Sequence, residues 1–187
     1  RGLYPEAADW LPLEAVARAS SVLADPRWIE GAATLFHEAR SRGVPTVLDG
    51  DMADAEVFER LLPLTDHAIF SEPALSAFAG SANDESLAAL ARFGCRVIAV
   101  TRGEGGVSWY ENGQLHRQAA YVVDVVDTTG AGDVFHGAYT FAVGAGLDVR
   151  DAMTFSAATA AMKCRHAGGR NGIPTINECL AFMRTKP

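Results

Sequence analysis

The stretch Val122-Val123-Asp124-Val125-Val126-Asp127-Thr128-Thr129-Gly130-Ala131-Gly132-Asp133 passes from β-branched residues to small ones, and then into an Ala-rich helical pattern. It predicts an apolar strand over Val122 to Val126, a tight turn, and a helix from near Ala131. Small residues at such a turn let backbone N–H groups converge on an anion, and the helix start adds the positive end of its dipole. Gly130, Ala131 and Gly132 are therefore candidates for an oxyanion or phosphate cradle. Asp133 does not suit the cradle itself, because a carboxylate repels phosphate. It suits a general base that takes the proton of an attacking hydroxyl. On the residues alone, an acid that merely caps the helix is an equal reading. A dinucleotide fingerprint would need glycine where Phe135 stands, and a Walker loop needs a Gly-Lys pair that the sequence lacks.

Upstream, short apolar runs alternate with helical periodicity. Val22-Leu23, Thr46-Val47-Leu48, His67-Ala68-Ile69-Phe70 and Val97-Ile98-Ala99-Val100 predict strands. Helices are expected from Ile29 toward Gly43, around Val57 to Leu62, and from Glu85 to Phe93. This alternation implies a mainly parallel sheet covered by helices, with ligands at the strands' C-terminal ends. Asn112-Gly113 between Val107-Ser108-Trp109-Tyr110 and Leu115 to Val126 predicts a hairpin, hence an antiparallel edge. Three Ala- and Met-rich helices close the chain, over Ala131 to Gly146, Arg150 to His166 and Ile176 to Met183. No repeat or linker divides it, so one domain is expected.

Of the 187 residues, 49% are hydrophobic and 21% charged, a balance that builds a core and excludes wholesale disorder. Sixteen basic against 23 acidic side chains give a net charge of −7, with the basic ones scattered. A nucleic-acid or anionic-membrane surface is thereby disfavoured. Cys95, Cys164 and Cys179 are odd in number and form no C-x-x-C, so neither a disulfide framework nor a structural zinc site is encoded, and His37-Glu38 lacks a second histidine at metal spacing. With no long apolar span and no apolar signal core after Arg1, a cytoplasmic location is expected. His136 and His166 are read as hydrogen-bonded helix residues, and Met153 and Met162 as core fillers.

Asp127-Thr128-Thr129-Gly130-Ala131-Gly132-Asp133-Val134-Phe135 resembles the D-T-x-G-A-G-D-x-F signature of the PfkB, or ribokinase-like, carbohydrate kinases. Thr101-Arg102-Gly103-Glu104-Gly105-Gly106 resembles that family's T-x-G-x-x-G turn along the nucleotide phosphates, although by itself it also reads as a tight turn into a hairpin. Asp49, with Asp51 beyond it, resembles the family's acidic strand end. The resemblance implies a three-layer α/β/α fold and ATP-dependent phosphorylation of a sugar hydroxyl. Asp133 would be the base, Gly130 to Gly132 the anion hole, and Thr101, Arg102, Gly103, Gly105 and Gly106 the nucleotide-binding residues. It further implies Mg2+, and a monovalent cation, with K+ the candidate, held by oxygens of Asp127 and Thr129. Where ribokinases carry N-x-x-E this chain has Ser71-Glu72-Pro73-Ala74, so magnesium is expected on nucleotide oxygens and water, with Glu72 as an optional contributor. Met162 to Pro174 resembles the sulfofructose-kinase and ketohexokinase-like subgroup. Residues 1–187 are expected to be the C-terminal nucleotide-binding and catalytic part of one ribokinase-like domain, with the N-terminal sugar-binding and lid part absent from the chain. The partners implied are a sugar and ATP, with room for a homodimer of the full-length protein. A non-catalytic nucleotide-binding or regulatory module of the same fold is the alternative, and a Rossmann oxidoreductase is disfavoured by Phe135.

Overall fold

Alternation along the strands decides the layers of this protein, whose computed structural model describes residues 4–185. One sheet holds β1 (Val22–Ala24), β2 (Thr46–Gly50), β3 (His67–Ser71), β4 (Val97–Thr101), β5 (Val107–Glu111) and β6 (Gln114–Gln118), in chain order. β1 to β4 are parallel, and β5 and β6 join antiparallel. Leu48, Ala68, Phe70, Ile98 and Val100 turn to one side of the sheet. They pack there on Phe36 of α1 (Ile29–Ser41), Phe58 of α2 (Ala55–Leu61), Leu75 of α3 (Glu72–Ala79) and Leu87 of α4 (Asp84–Leu90). Val47, Ile69, Val97, Ala99 and Trp109 turn to the other side. Their partners are Phe135 and Tyr139 of α5 (Ala131–Gly144), Met153 and Phe155 of α6 (Val149–Cys164), and Cys179 of α7 (Ile176–Thr185). The architecture is the expected three-layer α/β/α with an antiparallel edge.

The hairpin turns on Asn112 (φ 52°) and Gly113 (φ 80°), two consecutive left-handed residues that match the strands' twist. One sequence expectation needs correction, and one helix goes unpredicted. Val122 to Val126 is not a strand: β6 ends at Gln118, opposite Val107 at the start of β5, so the ladder has no partner left to offer. The segment runs on outside the sheet, pinned where Val126 N–H and Asp127 N–H donate to the Cys164 carbonyl, with Val122, Val125 and Val126 largely exposed. Conversely, Ser71-Glu72-Pro73 opens the helix α3. Ser71 Oγ accepts from Ala74 N–H at 3.3 Å, Pro73 sits in the first turn, and Gly80 ends the helix.

Trp109 is buried at 1% exposure beside His116, with its indole N–H meeting no acceptor among the described residues. Trp10 and Trp28 stack at 5.4 Å on the β1 side of the molecule, and Trp10 is 61% exposed.

Candidate active site

Parallel register brings Asp49, Ser71 and Thr101 to the same end of the sheet, the C-terminal end of β2 to β4. The start of α5 arrives there from the opposite face. It is anchored by His136, 3% exposed, whose Nε2 lies 3.1 Å from the Ile69 carbonyl and 3.4 Å from Asp49 Oδ1. His136 Nδ1 lies 2.7 Å from the Gly132 carbonyl, so one ring ties the helix's first turn to the ends of two strands. His136 is thus the hydrogen-bonded helix residue the sequence predicts, and its partners are what the sequence could not supply. Deeper in the same interface, His67 Nδ1 and Tyr139 Oη pair at 2.9 Å, and burial pushes the His67 imidazole down to about 4.

The turn before α5 requires glycine at one position. Gly130 adopts φ 76°, and a Cβ there would stand 3.2 Å from the Gly169 carbonyl. As the helix N-cap it brings no side chain to the first-turn amides. Ala131 N–H turns back to the Thr128 carbonyl at 3.0 Å, whereas among the described residues the N–H groups of Gly132 and Asp133 meet no acceptor. A Cβ on Gly132 would meet nothing within 4 Å. Gly130 N–H likewise meets no acceptor, so among the described residues the open amides at this turn are those of Gly130, Gly132 and Asp133.

Two clefts flank this first turn. One, of about 270 Å³, is lined by Thr101, Gly103, Gly106, Gly132 and the small residues Ala157, Ala160 and Ala161 of α6, with Tyr121, Val123 and Val125 along its rim. Gly106 (φ 79°) lets β5 depart tightly, since a Cβ there would stand 2.2 Å from the Gln118 carbonyl. The other, wider cleft of about 570 Å³ is lined by Asp133, Thr129, Gly130, Phe141, Arg170 and Ile173 among others. Of the five residues expected along a nucleotide, Thr101, Gly103 and Gly106 line the first cleft, while Arg102 and Gly105 open on a different shallow surface. The Arg102 guanidinium is committed elsewhere, donating to Ser108 Oγ at 2.8 Å and to the Ala82 carbonyl at 2.5 Å. It also stands 3.5 Å from Glu72, which sets Glu72 against an arginine.

Carboxylates gather on the Asp133 side. Burial holds the Asp49 carboxyl above its ordinary range; His136 opposes this, and the charges of Asp51, Asp133 and Asp25 add to it. Arg27 offsets two of these, at 2.8 Å from Asp25 and 3.2 Å from Asp51. No group of three or more His, Cys, Asp or Glu side chains converges as a metal cage among the described residues. Asp127, expected to offer oxygens to a monovalent cation, staples its own loop. Its carboxylate accepts from Thr129 N–H at 2.8 Å and Gly168 N–H at 2.7 Å, bonds that hold the carboxyl down at about 2. Its carbonyl accepts from Lys163 Nζ at 2.9 Å. Sequence reasoning missed Lys163. The signal was its position four residues after Thr159 and seven after Ser156, on the buried stripe of α6.

Known proteins share this fold. A ribokinase of Staphylococcus aureus is 29% identical over 150 residues, covering 76% of this chain and 49% of that protein. A provisionally named ribokinase from Agrobacterium tumefaciens superposes with a TM-score of 0.91 at 38% identity, over 96% of this chain and 60% of that one. The Arabidopsis thaliana ribokinase solved with ribose and ATP superposes with a TM-score of 0.86 at 25% identity, over 97% and 61%. The chain thus spans about half the length of that curated relative and about three-fifths of the two solved chains. Among the described residues no helix is long and apolar enough to cross a membrane. The model of the pfkB family carbohydrate kinases matches residues 3–176, across the sheet, the cradle and both clefts, and the chain belongs to that family.

Proposed function

We propose that this chain carries the nucleotide-binding and catalytic part of a kinase that moves the γ-phosphoryl group of ATP to a sugar hydroxyl. One observation carries the reading: the first turn of α5 is a shared wall, with Gly132 facing the narrow cleft and Asp133 facing the wide one. A phosphate entering the narrow cleft along Thr101 to Gly106 reaches the open amides, while a hydroxyl in the wide cleft lies next to a carboxylate. This separation suits in-line transfer, where nucleophile and leaving group approach from opposite sides.

The alanines of α6 leave a flat apolar slot that suits a purine ring. The N–H groups of Gly132 and Asp133, with the helix dipole behind them, stabilise charge on the transferring phosphoryl oxygens. Asp133 takes the hydroxyl proton, and its oxygen partner attacks phosphorus. His136 and Asp49 act through position, fixing the turn from which Asp133 projects. A magnesium ion would arrive on the nucleotide's own oxygens and neutralise charge there.

The test is sugar-dependent ADP release by the intact protein in a coupled assay, with ribose, fructose, fructose 6-phosphate and sulfofructose as acceptors, alongside calorimetry of ATP binding. ADP release that requires one of these acceptors is the expected result. ATP binding without acceptor-dependent turnover would leave a nucleotide-binding module instead.

A further inference from the structure

Lys163 is wholly buried in the last turn of α6, and its ammonium donates to the Asp127 carbonyl at 2.9 Å. Burying a cation is costly unless oxygens replace its water. Here the Asp127 carbonyl supplies an oxygen, the ammonium sits at the negative end of the α6 dipole, and the charge of Lys163 helps to draw the Asp127 carboxyl down. The spot lies two residues before Thr129 in the loop that delivers the cradle. It is also where Asp127 and Thr129 are expected to offer oxygens to a monovalent cation.

Those oxygens do not fit a free ion. Asp127 Oδ1 accepts from Thr129 N–H, Oδ2 from Gly168 N–H, and the carbonyl from Lys163. The Thr128 and Gly130 carbonyls accept from Ala131 and Val134 N–H. A K+ on the Asp127 carbonyl would stand beside a buried like charge. Gly172 closes the back of the arrangement, since a Cβ there would come within 2.7 Å of the Lys163 carbonyl.

We propose that the Lys163 ammonium is a built-in cation, which holds the Asp127 to Gly132 loop in its phosphate-ready shape and makes an added monovalent ion unnecessary. Lys163 is then a positioning residue, acting on phosphate only through Asp127 and the loop. The inference rests on the kinase reading only in taking that loop for a phosphate cradle, and its test does not use turnover.

The intact protein is titrated with KCl against tetramethylammonium chloride at fixed ionic strength, following melting temperature, amide exchange of Thr129 to Asp133, and ATP affinity by calorimetry. The native protein is expected to be indifferent, with affinity equal within about twofold and the same loop protection in either salt. A saturable, K+-selective gain of fivefold or more in affinity, or a matching rise in loop protection, would overturn the proposal. Lys163→Met keeps the aliphatic stem and removes the charge. It should lose loop protection and about tenfold in affinity in tetramethylammonium, and regain part of both in K+ or NH4+. Loss without cation rescue would reduce Lys163 to ordinary packing and overturn the assignment, as would a variant indistinguishable from native. Should the variant fail to fold, the native titration decides alone. A protein that binds no ATP would sink the kinase reading, while melting temperature and amide exchange would still report on the cation.

Discussion

The two clefts beside the start of α5 share a wall and are built from different materials. The narrow one brings backbone and small side chains to its phosphate end and its slot, with a glycine-rich turn after β4, open amides at Gly132 and Asp133, and three alanines of α6, while Tyr121, Phe135, Val123 and Val125 complete its lining. The wide one is made of ordinary side chains, among them Asp133, Arg170, Phe141 and Ile173. Backbone recognises features common to all nucleotides, and it demands glycine or alanine at fixed positions. Side chains recognise one acceptor among many and can be exchanged freely. The narrow cleft is therefore conspicuous in the sequence, and the wide one shows there through Thr129, Gly130 and Asp133 of the same loop.

The largest expected effect falls on the wide side. Asp133→Asn should lower kcat by about 10² to 10⁴ in the intact protein, with ATP affinity within a few-fold. Steady-state turnover beside calorimetric ATP binding makes the split visible, and near-normal turnover would dissolve the division of labour between the clefts. Next comes the wall itself. Gly132→Val places a branched side chain in the open space over the amides, so both ATP affinity and kcat should fall by about tenfold or more. Unchanged ATP binding would move the cradle elsewhere.

Acid tests the staple beneath both clefts. Asp127 has a carboxyl near 2 in the folded protein against an ordinary 3.8, so its contribution is complete above 3.8 and disappears as pH falls toward 2. Melting temperature measured against pH should decline less steeply over that window in Asp127→Asn than in the native protein. Superimposable acid limbs would mean that the staple does not survive in solution. Arg102→Ala should have the smallest effect on the nucleotide, within about twofold in ATP affinity, because its guanidinium faces Ser108 and Ala82. Its cost is stability, about 1.5–3 kcal/mol for lost charged hydrogen bonds, read from denaturant midpoints. A tenfold affinity loss would restore the sequence expectation that Arg102 touches nucleotide.

What the sequence made legible follows the same division. β2 to β4 and the Asn112-Gly113 hairpin were readable because burial on both faces and left-handed turn chemistry each leave a local trace. The run Val122 to Val126 misled for a physical reason: β-branched residues suit a strand, but here no neighbouring strand remains to pair with them, and Val123 and Val125 instead line the narrow cleft. α3 was hidden because Ser71-Glu72-Pro73 reads first as a departure from a metal-binding motif, when serine and proline together also start a helix. Arg102 is assigned from its turn motif and Lys163 goes unread, because neither position carries a local sign of what its head group meets. Which oxygens a long side chain reaches depends on contacts 20 and 36 residues away, and no local pattern carries that information.

The tryptophans give the molecule two optical labels. Trp109, sealed in the apolar layer against α5 and α6 with its indole N–H unpartnered among the described residues, should emit at short wavelength and resist collisional quenchers. Trp10 and Trp28, stacked on the opposite rim and partly open to water, should emit further to the red, quench readily and couple excitonically in near-ultraviolet circular dichroism. Loss of order near β1 would thus change colour and ellipticity before the layer that carries α5 does, allowing the two halves of the protein to be watched separately without an added dye.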